Sequence, residues 1–337
     1  MRPVLAPPPG ATVEPGEAPT FSVVIAAYQA AGTIGDAVGS ALAQTLPASD
    51  VVVCDDGSTD ELERALAPYA DRITFLRQAN SGEGAAKNAA VRAARGEFAV
   101  FLDADDVFLP ERLEALAELA AARPDLDVLT TDAFLEVDGK VVRLCYDEGW
   151  TFETDDQRGA ILQRNFVFGL AAVRRQTFLE GGGFDESLRY ATDWDLWCRL
   201  ILDGSRVGLV AEPLARYRLN PAALSAQRPA LLRGRCDVLE KAAARPDLSA
   251  AERRQVTRAL TAGRREALLA EAHEALIQKS SHARVLAARV ARAPSMPLGT
   301  RLKAIVAAAA PGLASRRLRQ ARALHGVPGP AGVRFPL

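Results

Sequence analysis

A chain of 337 residues with 49% apolar and 25% charged side chains can bury a sizeable core, which excludes a disordered or low-complexity polymer. Its four cysteines, Cys54, Cys145, Cys198 and Cys236, are scattered, with neither Cys-x-x-Cys spacing nor neighbouring histidines; this excludes a disulfide scaffold and reads as reduced core thiols in a cytoplasmic protein. The formal net charge of −1 hides a division, since residues 1–228 hold 21 Lys+Arg against 35 Asp+Glu, residues 229–337 hold 20 against 7, and no acid follows Glu274.

Residues 1–19 are rich in proline and read as a disordered leader without the basic and apolar regions of a signal peptide. No run reaches the roughly 18 to 20 apolar residues of a membrane span. From Phe21 onward strands and helices alternate. FSVVIAAY reads as a buried strand, TIGDAVGSALAQT as an amphipathic helix, VVVCDD as a second strand and DELERALAPYA as a second helix. ITFLR, GAAKNAAVRAAR and EFAVFLD repeat the unit. Strand and helix at this spacing predict an α/β, Rossmann-like, mostly parallel sheet covered on both faces. Ligands in such sheets bind outside the carboxyl ends of the strands.

Beyond Pro110 the pattern changes. The helix ERLEALAELAAA leads to the strand DVLTTDAFLEV, and Asp138-Gly139 predicts a hairpin turn before KVVRLCY. The run FVFGLAAVRR, a glycine cluster at Gly181–Gly183, the helix WDLWCRLIL and the strand RVGLVAEPLARYR follow. Hairpins and isolated helices here fit an acceptor-side subdomain that completes a cleft. Three segments result: the leader 1–19, an α/β domain 20–228, and a basic, Ala/Arg-rich helical extension 229–337.

Four clusters carry chemistry. FLDADD (101–106) ends a strand on three carboxylates with no cation nearby in sequence; alternation along the strand aims Asp103 and Asp105 the same way and turns Ala104 inward, leaving Asp106 structural. Like charges that close favour a divalent metal with phosphate oxygens as further ligands. In DDGSTD (55–60), Gly57 reads as a turn and Asp60 as a helix N-cap, while Asp55 and Asp56 can accept hydrogen bonds from a base and a ribose hydroxyl. SGEGAAKNAA (81–90) opens a helix with Gly82 and Gly84 and puts Lys87 and Asn88 in its first turns, a natural diphosphate site. In ATDWDLWCRL (191–200), Asp193 and Asp195 flank an aromatic face; Thr192 and Asp195 have capping-box spacing, which frees Asp193 as a general base.

Taken in order, VVIAAY, DDGSTD, SGEGAAKNAA, DADD, GGFDE (182–186), DWDLWCRL and YR-x-N-x-x-x-x-S resemble the family 2 glycosyltransferases of the GT-A fold, over about residues 21–228. The resemblance implies an inverting transferase that uses a nucleotide-diphosphate sugar and passes the sugar to a hydroxyl acceptor in cell-surface polysaccharide or related glycan assembly. It implies that Ala27 and Tyr28 line the base pocket with Asp55 or Asp56, that Asp103 holds the ribose and assists the metal, that Asp105 ligates Mg2+ or Mn2+, and that Asp193 takes the acceptor proton. Ala104, Lys87 and Asn88 belong to the same donor site, and Gly183, Trp194, Arg218 and Asn220 to the phosphate or acceptor side. Lys87 stands where the family often has arginine, Thr192 where it often has glutamate, and Asn220 where it often has histidine. A catalytically degenerate sugar-nucleotide-binding module is the alternative. A nucleotidyltransferase would want a basic glycine-rich loop after the first strand, where AAYQAAGTIGDA stands instead.

The segment 301–324 pairs a short apolar stretch with an arginine-dense one. Residues 290–325 are therefore the candidate for peripheral contact with an anionic membrane at the inner face of the cell, which makes lipid-linked acceptors attractive. No aromatic residues interleave the charges, so nucleic acid is not an expected partner.

Overall fold

The computed structural model describes residues 18–147, 149–219, 227–325, 327–328 and 334–335, with side chains as far as Leu318. Most of the leader, and Asn220, lie outside the described residues. The chain divides between Asn220 and Pro221 into two compact units.

The first unit is built around a nine-stranded mixed sheet. Strand β1 (Phe21–Ala27) has no polar face and is buried along almost its whole length, as a central parallel strand must be. Helix α1 (Ile34–Leu42) leads to β2 (Asp50–Asp55), and the short α2 (Leu62–Leu66) to β3 (Thr74–Arg77). The sequence predicts one helix over 60–70; the structure breaks it after Leu66 and continues as a 3-10 segment, Ala67–Arg72, because Pro68 has no N–H to give and crowds the preceding turn. Helix α3 (Glu83–Ala93), β4 (Phe98–Phe101), the two-residue β5 (Val107–Phe108) and α4 (Arg112–Ala122) follow.

Strands β6 (Val128–Val137) and β7 (Lys140–Leu144) form the expected hairpin, with Asp138 at φ 48° and Gly139 at φ 74° in the left-handed region that a tight turn requires. Helix α5 (Gln157–Ile161), β8 (Ala172–Arg174), α6 (Arg175–Glu180), α7 (Thr192–Leu202) and β9 (Val207–Arg218) complete the unit. Within the run FVFGLAAVRR only β8 is extended, because the Ala171 amide donates to Phe168 O at 3.1 Å, closing a turn at Gly169-Leu170.

The order across the sheet is β3-β2-β1-β4-β8-β6-β9-β5, with β7 against β6. Strands β3, β2, β1 and β4 run parallel, and β8 lies antiparallel to β4. From β1 the chain steps outward to β2 and β3 on one side and then returns to place β4 on the other, so the switch point of the parallel half, where such folds bind ligands, lies at the carboxyl ends of β1 and β4.

The second unit holds helices α8 (Arg228–Ala243), α9 (Ala250–Ile277), α10 (Ala283–Arg292), α11 (Leu298–Ala309) and α12 (Pro311–His325). A full capping box starts α9: the Ser249 hydroxyl accepts from the Glu252 amide, and the Glu252 carboxylate accepts from the Ser249 amide. No described helix is long and apolar enough to cross a membrane.

Candidate functional site

Parallel register brings the acids together. Ala27 pairs with Asp55 across β1 and β2, and Val24 with Phe101 across β1 and β4, so Tyr28, Asp55, Asp56 and Asp103 leave the sheet at one edge. Tyr28 is 54% exposed and Ala27 is buried. Gln29, just beyond, holds positive φ (52°) and donates its amide to Ser58 Oγ at 3.0 Å, tying the loop after β1 to the loop after β2.

Asp55 and Asp56 are buried and engaged. Asp55 Oδ1 accepts from the Ser58 amide at 2.8 Å, and its Oδ2 lies 3.4 Å from Arg77 Nε. Asp56 accepts from Gln78 Nε2 and from the Ser81 and Gly82 amides, each at 2.8 Å, and so fixes the turn that starts α3. Asp60 does not cap α2, whose N-cap is Glu61; its carboxylate accepts from the Ala31 amide at 2.8 Å.

The cation that the sequence lacks near FLDADD comes from α3. Lys87, expected as a phosphate contact, is buried, and its Nζ donates to Asp103 Oδ1 at 2.8 Å and to Glu83 Oε1 at 2.5 Å, below the Phe101 and Phe184 rings. Burial disfavours the ammonium, but Asp103 and Glu83 outweigh it and hold Lys87 above its ordinary value. Burial raises the Asp103 carboxyl against the opposing pull of Lys87. Among the described residues Asp105 makes no such ion pair: burial, then the Asp103 charge, push it up to about 6. Asp106 points elsewhere, as expected. Its Oδ1 accepts from the Arg218 amide at 2.8 Å, its Oδ2 has no hydrogen-bond partner among the described residues, and burial with Asp103 and Asp105 raises it well above the usual carboxylate range. The Arg218 guanidinium meets Asp36 at 3.0 Å.

Asn88 and Gly183 lock together. Asn88 Nδ2 donates to Phe184 O and Glu186 Oε1, both at 2.9 Å, and its Oδ1 accepts from the Phe184 amide at 2.8 Å. Gly183 has φ 68°, and a Cβ there would sit 2.5 Å from Asn88 Oδ1, so the close approach admits only glycine. From the other side Arg199 reaches the carbonyls of Gly181 and Gly183 while its Nε donates to Asp195 Oδ2 at 2.8 Å. Asp195 thus serves Arg199; the expected Thr192–Asp195 capping box is absent, the N-cap being Ala191 in a left-handed conformation. Trp194 is core, with its Nε1 donating to Ile161 O at 2.9 Å.

Asp193 lies in the first turn of α7, half-buried, where the helix dipole favours its negative charge. One turn on, Trp197 packs 6.3 Å from Phe101, the last residue of β4 and two before Asp103, so the base candidate and the acid pair hang on one packing contact. Asn165 Nδ2 donates to Asp193 Oδ2 at 2.9 Å. Glu83, Asn165 and Arg199 are site residues that the sequence reading missed. Glu83 and Arg199 sit at i,i+4 spacing from Lys87 and Asp195, a signal that could have found them; Asn165, in a loop 28 residues before Asp193, had none.

Among the described residues no three His, Cys, Asp or Glu side chains form a metal cage. Asp105 nonetheless fits a hard cation: an oxygen donor whose charge burial and Asp103 disfavour gains from a divalent ion, and Mg2+ commonly takes only one or two carboxylates with phosphate and water. Asp103, already paired to Lys87, fits less well.

Residues 22–181 match the family model described as glycosyl transferase family 2. An uncharacterized glycosyltransferase of Rickettsia prowazekii is 32% identical over 208 residues, 60% of this chain and 65% of that protein, so the match falls short of two thirds of its length. The succinoglycan biosynthesis protein ExoO of Rhizobium meliloti is 33% identical over 211 residues, covering 59% and 60%. In structure, the chain resembles TarS 1-349 of S. aureus in complex with UDP-GlcNAc at TM-score 0.61 and 18% identity, covering 90% and 92%, and the mannosyltransferase PcManGT of Pyrobaculum calidifontis in complex with GDP-Man and Mn2+ at 0.57 and 21%, covering 90% and 83%. At those identities the likeness establishes the fold, which is GT-A.

Proposed function

Because the chain belongs to glycosyl transferase family 2, we propose that it moves a sugar from a nucleotide-diphosphate donor to a hydroxyl of a growing glycan, with inversion, in polysaccharide assembly. Residues 20–228 are the catalytic part in this reading, and 229–337 a basic helical extension. The observation that carries it is the acid pair at the β1/β4 switch point, with Asp103 held by Lys87 and Asp105 left to favour a cation. Tyr28 and the Ala27 backbone line the base pocket beside the loop that Asp55 and Asp56 organise, and Asp103 turns to the ribose. Asp105 is the protein ligand to Mg2+ or Mn2+, which when bound would offset the charge growing on the leaving diphosphate. Asp193 receives the acceptor proton, and attack from the face opposite the leaving group inverts the anomeric centre.

The relative named for succinoglycan biosynthesis supports a polysaccharide acceptor, and the UDP-GlcNAc and GDP-Man of the structural relatives name two donors to try first. The second unit supports an acceptor presented at an anionic membrane. Leu298, Leu302, Ile305 and Val306 of α11 are 54–69% exposed. They share an arc of about 100° opposite the packed Ala304 and Ala307. Exposed Lys303, Arg316 and Arg317 accompany this stripe, with no acid after Glu274 to oppose them. The test is binding and slow hydrolysis of UDP-GlcNAc and GDP-mannose with Mn2+ or Mg2+. Metal-stimulated release of the nucleoside diphosphate is expected; full turnover in EDTA contradicts the role of Asp105.

A further inference from the structure

We infer that Asn165 is the positioning residue that holds Asp193 in the orientation its chemistry needs. The inference deepens the reading above and rests on Asp193 being the base. The amide has no freedom to flip: Asn165 Oδ1 accepts from the Val167 amide at 3.1 Å, which leaves the NH2 end toward Asp193 Oδ2 at 2.9 Å. The backbone that carries it is pinned as well. Trp150 Nε1 donates to Asn165 O at 2.6 Å, and Trp150 stacks on Tyr146 with ring centroids 4.8 Å apart. The Tyr146 hydroxyl in turn donates to Phe166 O at 2.9 Å and accepts from the Phe168 amide at 3.0 Å. Four residues further on, a Cβ at Gly169 would lie 3.9 Å from the same Asp193 oxygen, so the segment 165–169 wraps the carboxylate.

A neutral N–H donor on one carboxylate oxygen does two things. It sets the rotation of the carboxylate plane, and so the direction of the lone pairs offered to an acceptor hydroxyl; it also favours the ionised form, the only form that can take a proton. A lysine in its place would bind the same oxygen but also neutralise the base. Asparagine orients without cancelling the charge. The aromatic clamp then makes Asn165 a rigid support, which a group that must hold its geometry to fractions of an ångström requires.

The experiment measures kcat, KM and the pH profile of nucleotide release from UDP-GlcNAc or GDP-mannose for wild type, Asn165→Ala, Asn165→Asp, Trp150→Phe and Asp193→Asn. Asn165→Ala should lower kcat about 10- to 100-fold, leave donor affinity within about twofold, and move the acid limb of the profile to higher pH. Asn165→Asp keeps the shape but swaps a donor for a like charge, so its limb should move further; Trp150→Phe, which loses only the indole bond, should fall between. If Asp193→Asn keeps full turnover, the base reading fails. If Asp193→Asn is dead while both Asn165 variants keep the wild-type kcat and pH profile, the base stands and the positioning inference falls. A readout independent of turnover is the side-chain NH2 resonance of Asn165 in 15N-asparagine-labelled protein, identified by its loss in Asn165→Asp. It should show a carboxylate inflection that vanishes in Asp193→Asn, and its absence in wild type overturns the proposal.

Discussion

Replacing Lys87 with methionine keeps the stem that packs under Phe101 and Phe184 and removes only the charge. The Lys87 side chain is 8% exposed and that of its partner Asp103 is 30% exposed, with Glu83 on the other side of the ammonium. Removing one member of a buried pair costs about 3–5 kcal/mol; the solvent that still reaches Asp103 trims this to about 2–3 kcal/mol. For a unit of this size that corresponds to a fall in Tm of about 5–10 °C at pH 8. The sign with pH follows from Asp103. Its carboxyl already stands above its ordinary value with the lysine present and rises further without it, so the penalty is small below about pH 4 and grows as pH climbs through the raised value. Thermal unfolding at pH 4 and pH 8 measures both, and Asp103→Asn in the Lys87→Met background should recover most of the loss. An unchanged Tm at pH 8, or a loss equal at both pH values, would refute the claim that the ammonium neutralises Asp103.

Gly183→Ala should cost about 2–4 kcal/mol, from its left-handed φ and the clash with Asn88 Oδ1, read as a lower urea midpoint; a change under about 0.5 kcal/mol would mean the loop can move away. Asp105→Asn should weaken Mn2+-dependent binding of UDP at least about tenfold by calorimetry. In the wild type the same binding should weaken as pH drops below about 6, because a proton then competes for the carboxylate; pH-independent binding speaks against Asp105 as the ligand. In flotation assays the protein should rise with phosphatidylglycerol vesicles and remain behind with phosphatidylcholine alone. Leu302→Asp with Ile305→Asp should cut that partitioning about tenfold, and equal partitioning of the variant would remove α11 as the contact.

The parallel half of the sheet was legible because its strands are near-continuous apolar runs punctuated by turn residues, and because the acids fall just past their ends. What sequence could not supply was pairing across loops. Lys87 and Asn88 are adjacent, and helix-start logic gives both to a phosphate; in space one turns to Asp103 and the other to Phe184 and Glu186, 96 and 98 residues away. The family resemblance puts Trp194 on the phosphate or acceptor side, and the turn of α7 directs its indole N–H at Ile161 O. Asp55 and Asp56 read as free for the same reason that loops look empty in one dimension: three of their partners are backbone amides, which no residue letter encodes, and the other two, Arg77 and Gln78, come from the end of β3 and the residue after it, 22 residues on. The helix after Asp60 failed at Pro68, a signal present in the sequence and outweighed by the apolar period around it.

The most direct test of the account compares wild type with Asp193→Asn on UDP-GlcNAc and GDP-mannose in the presence of Mn2+, following donor affinity and nucleotide release separately. The account predicts that the variant binds donor as tightly as wild type and loses about 10²- to 10⁴-fold in turnover. A variant that turns over at the wild-type rate, or a wild type that binds neither donor nor any other nucleotide sugar, would contradict it.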